Sequence, residues 1–126
     1  MPARTAKPVT ADQRGRAAEA AAALALERDG WTILGRRLRT QAGEIDIAAE
    51  KDGLLALVEV KARPNLATAA ASLSPRQRLR LVAAAEIVLT AHPDWGRDGA
   101  RFDLMLVDQS GTVRRIADAF RGGDLD

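Results

Sequence analysis

The stretch Leu54-Leu55-Ala56-Leu57-Val58-Glu59-Val60-Lys61 constrains this 126-residue chain more than any other. Alternate side chains of a β-strand point to opposite faces, so a strand with one face in water alternates apolar with polar residues. Here both faces are apolar until the last three residues, the pattern of a central strand covered on both sides. Helices must therefore cover both faces of its sheet. A length of 126 residues suits one domain, 1–126, and 47% hydrophobic residues suffice for a core. With aromatics at only 3%, that core must be aliphatic.

The elements on either side fit this frame. Thr10 with Gln13 has the form of a capping box, and the Ala-, Leu-, Glu- and Arg-rich stretch to Arg28 predicts a helix closed by Asp29-Gly30. Residues 32–39 and 44–49 read as strands before the central one at 54–61, with Asp52-Gly53 as the hairpin turn. From 62 to 73 the chain loses strand character at Pro64-Asn65 and predicts a mobile connection. Ser74 and Pro75 then open a second helix to about Thr90, with Leu79, Val82, Ala83, Glu86 and Ile87 on adjoining turns, ended by His92-Pro93-Asp94. Strands at 101–108 and 112–117 follow, joined through Gln109-Ser110-Gly111. The expectation is a mixed α/β sheet flanked by helices in the order α-β-β-β-α-β-β, with residues 1–9 and 121–126 frayed.

Composition narrows the chemistry. The absence of Cys removes disulfide frameworks, thiol nucleophiles and cysteine zinc sites, so any metal must sit on oxygen or imidazole. No apolar run approaches the roughly 20 residues of a membrane span, and the start has no signal-peptide core, so a cytoplasmic protein without membrane attachment is expected. Lys plus Arg exceed Asp plus Glu by 19 to 17. That balance attracts nucleic acid only weakly, but all except three of the cations are Arg, whose planar fork binds phosphate bidentately.

Period-two alternation places Glu59 and Lys61 on one face of the third strand, with Leu55 and Leu57 behind them. On the preceding strand Glu44 and Asp46 share a face opposite to Ile45 and Ile47, and the hairpin lets Asp46 and Glu59 meet. Paired carboxylates repel each other unless a hard divalent cation, Mg²⁺ or Mn²⁺, sits between them. Such a site with open positions suits phosphodiester hydrolysis. Lys61 could orient or deprotonate the attacking water, since burial brings a Lys within reach of deprotonation. Glu19 lies in an apolar helical stripe with Ala22, Ala23 and Leu26 and could complete the metal site. On spacing alone, Glu59 and Lys61 suit a structural ion pair equally well, and Asp46 a solvent-facing position. Glu44 reads as a surface residue or a support for the ligands. His92 reads as a helix-terminating surface residue, Trp31 and Trp95 as plugs at the edges of the core, and Asp103 as a buried partner near Arg101.

Glu19 within Gly15-Arg16-Ala17-Ala18-Glu19, then Gly43-Glu44-Ile45-Asp46, then Val58-Glu59-Val60-Lys61 with Arg63, resemble the PD-(D/E)xK nuclease superfamily. Within it the chain resembles the small bacterial YraN-like family, over about residues 12–118, including Arg76-Gln77-Arg78-Leu79 and Arg101-Phe102-Asp103. Ile45 stands where the superfamily pattern has Pro, and the 66–73 loop lacks the Gly that relatives often carry there. The resemblance implies a restriction-endonuclease-like fold similar to archaeal Holliday-junction resolvases. It further implies Asp46 and Glu59 as Mg²⁺ (or Mn²⁺) ligands, Lys61 on the water, Glu19 assisting and Gln77 lining the site.

Two functions are therefore expected to compete. One is a Mg²⁺-dependent nuclease on structured or branched DNA, with Arg36, Arg63, Arg76 and Gln77 contacting nucleic acid and a homodimer required to cut both strands symmetrically. The other is a non-catalytic nucleic-acid-binding or scaffold protein that keeps the nuclease-like fold.

Overall fold

The computed structural model describes residues 8–64 and 73–120. The elements are α1 (Ala11–Arg28), β1 (Thr32–Arg39), β2 (Glu44–Lys51), β3 (Leu54–Ala62), α2 (Pro75–Ala91), β4 (Ala100–Val107) and β5 (Val113–Phe120), in the expected mixed α/β order. Both helices start on reciprocal capping boxes. Gln13 N–H donates to Thr10 Oγ1 at 3.1 Å and Thr10 N–H to Gln13 Oε1 at 2.9 Å. Ser74 and Gln77 repeat the exchange at 3.2 and 3.1 Å, with Pro75 opening the first turn. Each box satisfies N–H groups that a helix start leaves without partners.

The five strands form one sheet in the order β1-β2-β3-β4-β5, antiparallel throughout except for the parallel β3–β4 pair. Asp52 and Gly53, at φ +52 and +82, make the β2–β3 turn, because two consecutive positive φ values match the twist of the flanking strands. A parallel partner for β3 needs a crossover, and α2 lies within it. β3 is thus the middle strand, and Leu55, Ala56, Leu57 and Val58 are all buried.

Each face of the sheet carries one helix. Ala22, Ala23 and Leu26 of α1 pack on Ile47, Ala49, Ala56, Val58 and Met105. Leu81, Ala84, Ala85 and Val88 of α2 pack on Ala48, Leu55 and Leu57 from the other side. The stripe expected on α2 is corrected here: Leu79 and Ile87 are 56% and 43% exposed. The helix instead buries the stripe Leu81, Ala84, Ala85 and Val88, which turns Leu79 and Ile87 outward.

β5 also runs three residues beyond the expected end at Ala117. Asp118, at φ +51, forms an irregularity that carries the strand onward to Phe120, whose ring stacks on Phe102 at 4.5 Å. Of the termini expected to fray, residues 1–7 and 121–126 lie outside the described residues, and Pro8 and Val9 are exposed. Of the expected connection at 62–73, Ala62 ends β3, Leu73 is buried, and residues 65–72 lie outside the described residues.

Candidate metal-binding site

β2 and β3 pair from their turn only as far as Ile47 opposite Val58. Both strands continue beyond that rung, β2 back to Glu44 and β3 on to Ala62, so the hairpin opens into a fork. At the fork Val60 N–H donates to Asp46 Oδ2 at 2.8 Å, a side-chain oxygen standing where a strand carbonyl would otherwise accept. The two-residue period also breaks here. Ile45 lies in the α2-side cluster and Ile47 in the α1-side cluster, although alternation places both on one face. On β1, Arg36 and Leu38 pair with Ile47 and Ile45, which sets Arg37 across from Asp46. Arg37 has φ +52, and this left-handed residue resets the facing of the rung.

Four acidic side chains and two cations gather at the fork. Glu19 is held in the buried stripe of α1 at 7% exposure, and its Oε2 accepts from Arg37 Nε at 2.7 Å. One carboxylate oxygen each from Glu19, Glu44 and Asp46 lies within 4.8 Å of the other two. Lys61 Nζ is 3.3 Å from Glu59 Oε1, both side chains being largely buried. Burial raises the Asp46 carboxyl from its usual 3.8 to about 7, the charge of Glu59 adds to the rise, and the Val60 N–H opposes it. Glu59 is raised as well, again by burial, against the pull of Lys61 and a hydrogen bond with Asp46. Asp46 and Glu59 are therefore neighbours that resist ionising together.

The chain matches the model of a family described as an uncharacterised protein family, UPF0102, over residues 18–107. It is 65% identical over 111 residues to a UPF0102 protein of Granulibacter bethesdensis, covering 88% of this chain and 70% of the relative. UPF0102 proteins of Acidiphilium cryptum and Rhodopseudomonas palustris are 49% and 46% identical over 90% and 89% of the chain, and 88% and 86% of their own lengths. The chain belongs to the UPF0102 family. The matched span opens one residue before Glu19 and takes in Asp46, Glu59 and Lys61.

In this UPF0102 protein the sequence-derived set Glu19, Asp46, Glu59 and Lys61 converges on one fork. Glu44, read from sequence as a surface residue or support, is indeed exposed yet belongs to the carboxylate group. A cleft of about 140 Å³ is lined by Gly43, Glu44, Glu59, Gln77, Arg80 and Leu81. Gln77 thus reaches the site even though its carbonyl oxygen serves the α2 cap. Arg76 and Arg36 are exposed, one on the first turn of α2 and the other on the edge strand β1. Arg63 and Arg14 line a wider groove of about 750 Å³ that is floored by Ala17, Ala18 and Ala21. Sequence reasoning missed Arg37. Nothing local marks an arginine that will adopt a left-handed backbone, and alternation counted along β2 did not foresee the broken rung.

Asp103 is the other buried carboxylate, at 2% exposure. Arg101 donates to it twice, at 2.9 and 3.1 Å, and Asp118 N–H donates at 2.9 Å. Arg115 lies 4.0 Å away, and both guanidiniums stand over the Trp31 ring at 5.2 and 5.4 Å. This cluster ties β4 to the irregular end of β5, as the expected structural role of Asp103 requires. His92 caps α2 and stacks on Trp95 at 3.7 Å.

Proposed function

We propose that this protein is a Mg²⁺- or Mn²⁺-dependent nuclease of the PD-(D/E)xK type, with a restriction-endonuclease-like fold, hydrolysing phosphodiester bonds of structured or branched DNA in the cytoplasm. The observation that carries this reading is the fork itself, which gathers the carboxylates of Glu19, Glu44 and Asp46 within 4.8 Å of one another and buries Asp46 beside Glu59, so that both are raised. A pair of this kind gains most from a cation that neutralises both.

The donor set fits a hard cation. It is all oxygen: Glu19, Glu44 and Asp46 bring carboxylate oxygens within 4.8 Å of one another, and Glu59, the second expected ligand, lies beside Asp46. Thiols are lacking from the chain and its one imidazole is stacked on Trp95. When bound, Mg²⁺ or Mn²⁺ supplies polarisation of a phosphoryl oxygen and a more acidic water. Lys61, anchored by Glu59, would orient that water by donating a hydrogen bond to it. Glu19 steadies the same end from α1. Gln77, Arg76, Arg36 and Arg63 bind the DNA backbone, which fixes position rather than sequence. The groove with Arg14 and Arg63 on its lining offers two guanidiniums for further backbone phosphates. A homodimer would provide the second site that a symmetric junction cut requires.

The test is cleavage of four-way junction and flap DNA with Mg²⁺ or Mn²⁺ by the wild type, Asp46→Asn and Glu59→Gln. Cleavage confined to the wild type is expected, and equal cleavage by all three overturns the reading. One observation favours the second reading, a non-catalytic nucleic-acid-binding module or scaffold: Arg37 and Lys61 already supply two acidic groups of the fork with cations. Calorimetry that detects no divalent-ion binding, even with DNA present, would select it.

A further inference from the structure

Arg37 touches the candidate site without a role in the reading above. Its backbone lies at φ +52, a conformation uncommon outside Gly and Asn and retained where the surroundings demand it. The same residue stands across the broken rung from Asp46, and its Nε donates to Glu19 Oε2 at 2.7 Å. Glu19 is nearly buried, and a buried carboxylate without a partner is costly. Among the described residues no other cation lies within ion-pair distance of it. The guanidinium thus brings one positive charge to the group of Glu19, Glu44 and Asp46.

We propose that Arg37 is a placeholder cation: it neutralises Glu19 while no divalent ion is bound, and transfers to a phosphate of the DNA when Glu19 turns to the ion. This rests on the nuclease reading and adds a coupling to it. The contact with Glu19 uses Nε, and both Nη groups are without hydrogen bonds among the described residues. A guanidinium with unused donors in a planar fork is suited to bidentate capture of a phosphate. Because the Arg37 side chain is 34% exposed, it can reach a ligand at the surface. Coupling through one side chain makes divalent ion and DNA each favour binding of the other, by the same factor.

The experiment titrates Mn²⁺ into the wild type, Arg37→Asn and Arg37→Lys by calorimetry, and measures junction-DNA affinity with and without Ca²⁺. Asn tolerates the left-handed backbone, so the rung survives while the charge is lost. Arg37→Asn is expected to bind Mn²⁺ about tenfold more tightly than wild type, because a competing charge has gone. Ca²⁺ should raise wild-type DNA affinity about tenfold and that of Arg37→Asn by only about twofold, a split within the usual range of site coupling. Arg37→Lys should keep the weaker Mn²⁺ binding and lose much of the Ca²⁺-dependent DNA gain, since Lys lacks the fork.

Measurable Mn²⁺ binding by the wild type with unchanged or weaker binding by Arg37→Asn overturns the placeholder and leaves the nuclease reading standing. Absence of binding in both overturns the two together. Melting curves check that Arg37→Asn is folded. Should it not fold, Glu19→Gln replaces it, where the released guanidinium should raise metal-free DNA affinity several-fold and an unchanged affinity overturns the proposal.

Discussion

Asp103 and Asp46 are two carboxylates drawn into the same sheet, one on β4 and the other on β2. Asp103 accepts two hydrogen bonds from Arg101 and one from the Asp118 N–H, with Arg115 nearby. Asp46 accepts one backbone N–H and is otherwise surrounded by Glu59, Glu19 and Glu44. The first is neutralised within the chain and welds two strands together. The second is raised to about 7 because burial and like charges both oppose its ionisation. The sign of the surrounding charge is what sets the structural acid apart from the candidate ligand.

The largest expected effect sharpens that contrast. Asp46→Asn should lower DNA cleavage by about 10²- to 10³-fold, the scale seen when one group that stabilises developing charge is removed. Single-turnover assays with junction DNA check this, and the variant should remain folded. Asp103→Ala should act in the opposite manner, leaving two guanidiniums without their carboxylate and costing about 3–5 kcal/mol of stability. Urea unfolding measures it, and a loss below about 1 kcal/mol would break the distinction.

Acidity gives the third prediction. Between pH 3.8 and about 7 the folded protein keeps a proton on Asp46 that the unfolded chain has released. Stability should therefore fall as pH rises across that window and stay lower above it, with Glu59 acting in the same direction. Without divalent ions Asp46→Asn should flatten this slope and be more stable than wild type at pH 8 by roughly 1–2 kcal/mol. Melting temperatures of both proteins across pH 4 to 8 decide it. The smallest effect is the response to Mg²⁺: at ten times its dissociation constant it should add about 1.4 kcal/mol to the wild type and nearly nothing to Asp46→Asn.

Much of this was legible in residue order. Thr10/Gln13 and Ser74-Pro75 announced both helix starts, Asp52-Gly53 the hairpin, and the two-sided apolar run the middle strand. Four residues of the fork could be named because helical spacing set Glu19 in an apolar stripe, alternation put Glu59 and Lys61 together, and the resemblance singled out Asp46. Other features depend on contacts remote in sequence. The face that α2 buries could not be read from periodicity because Ala, Leu and Val lie all around it, and packing on the sheet selects Leu81, Ala84, Ala85 and Val88. The extension of β5 depends on Asp103, 15 residues before the Asp118 N–H it accepts from. The turned rung at Arg37 and Asp46 needs a backbone conformation that no side chain at Arg37 announces.

The two outer strands share a feature with a consequence for self-association. β1 and β5 border the sheet, and each contains a residue with left-handed backbone, Arg37 and Asp118. Each border also carries guanidinium groups, from Arg36 and Arg39 on one side and Arg114 on the other. Kinked, cationic margins make poor templates for a neighbouring molecule's strand, so copies of this chain are guarded against stacking edge to edge into ribbons or fibrils.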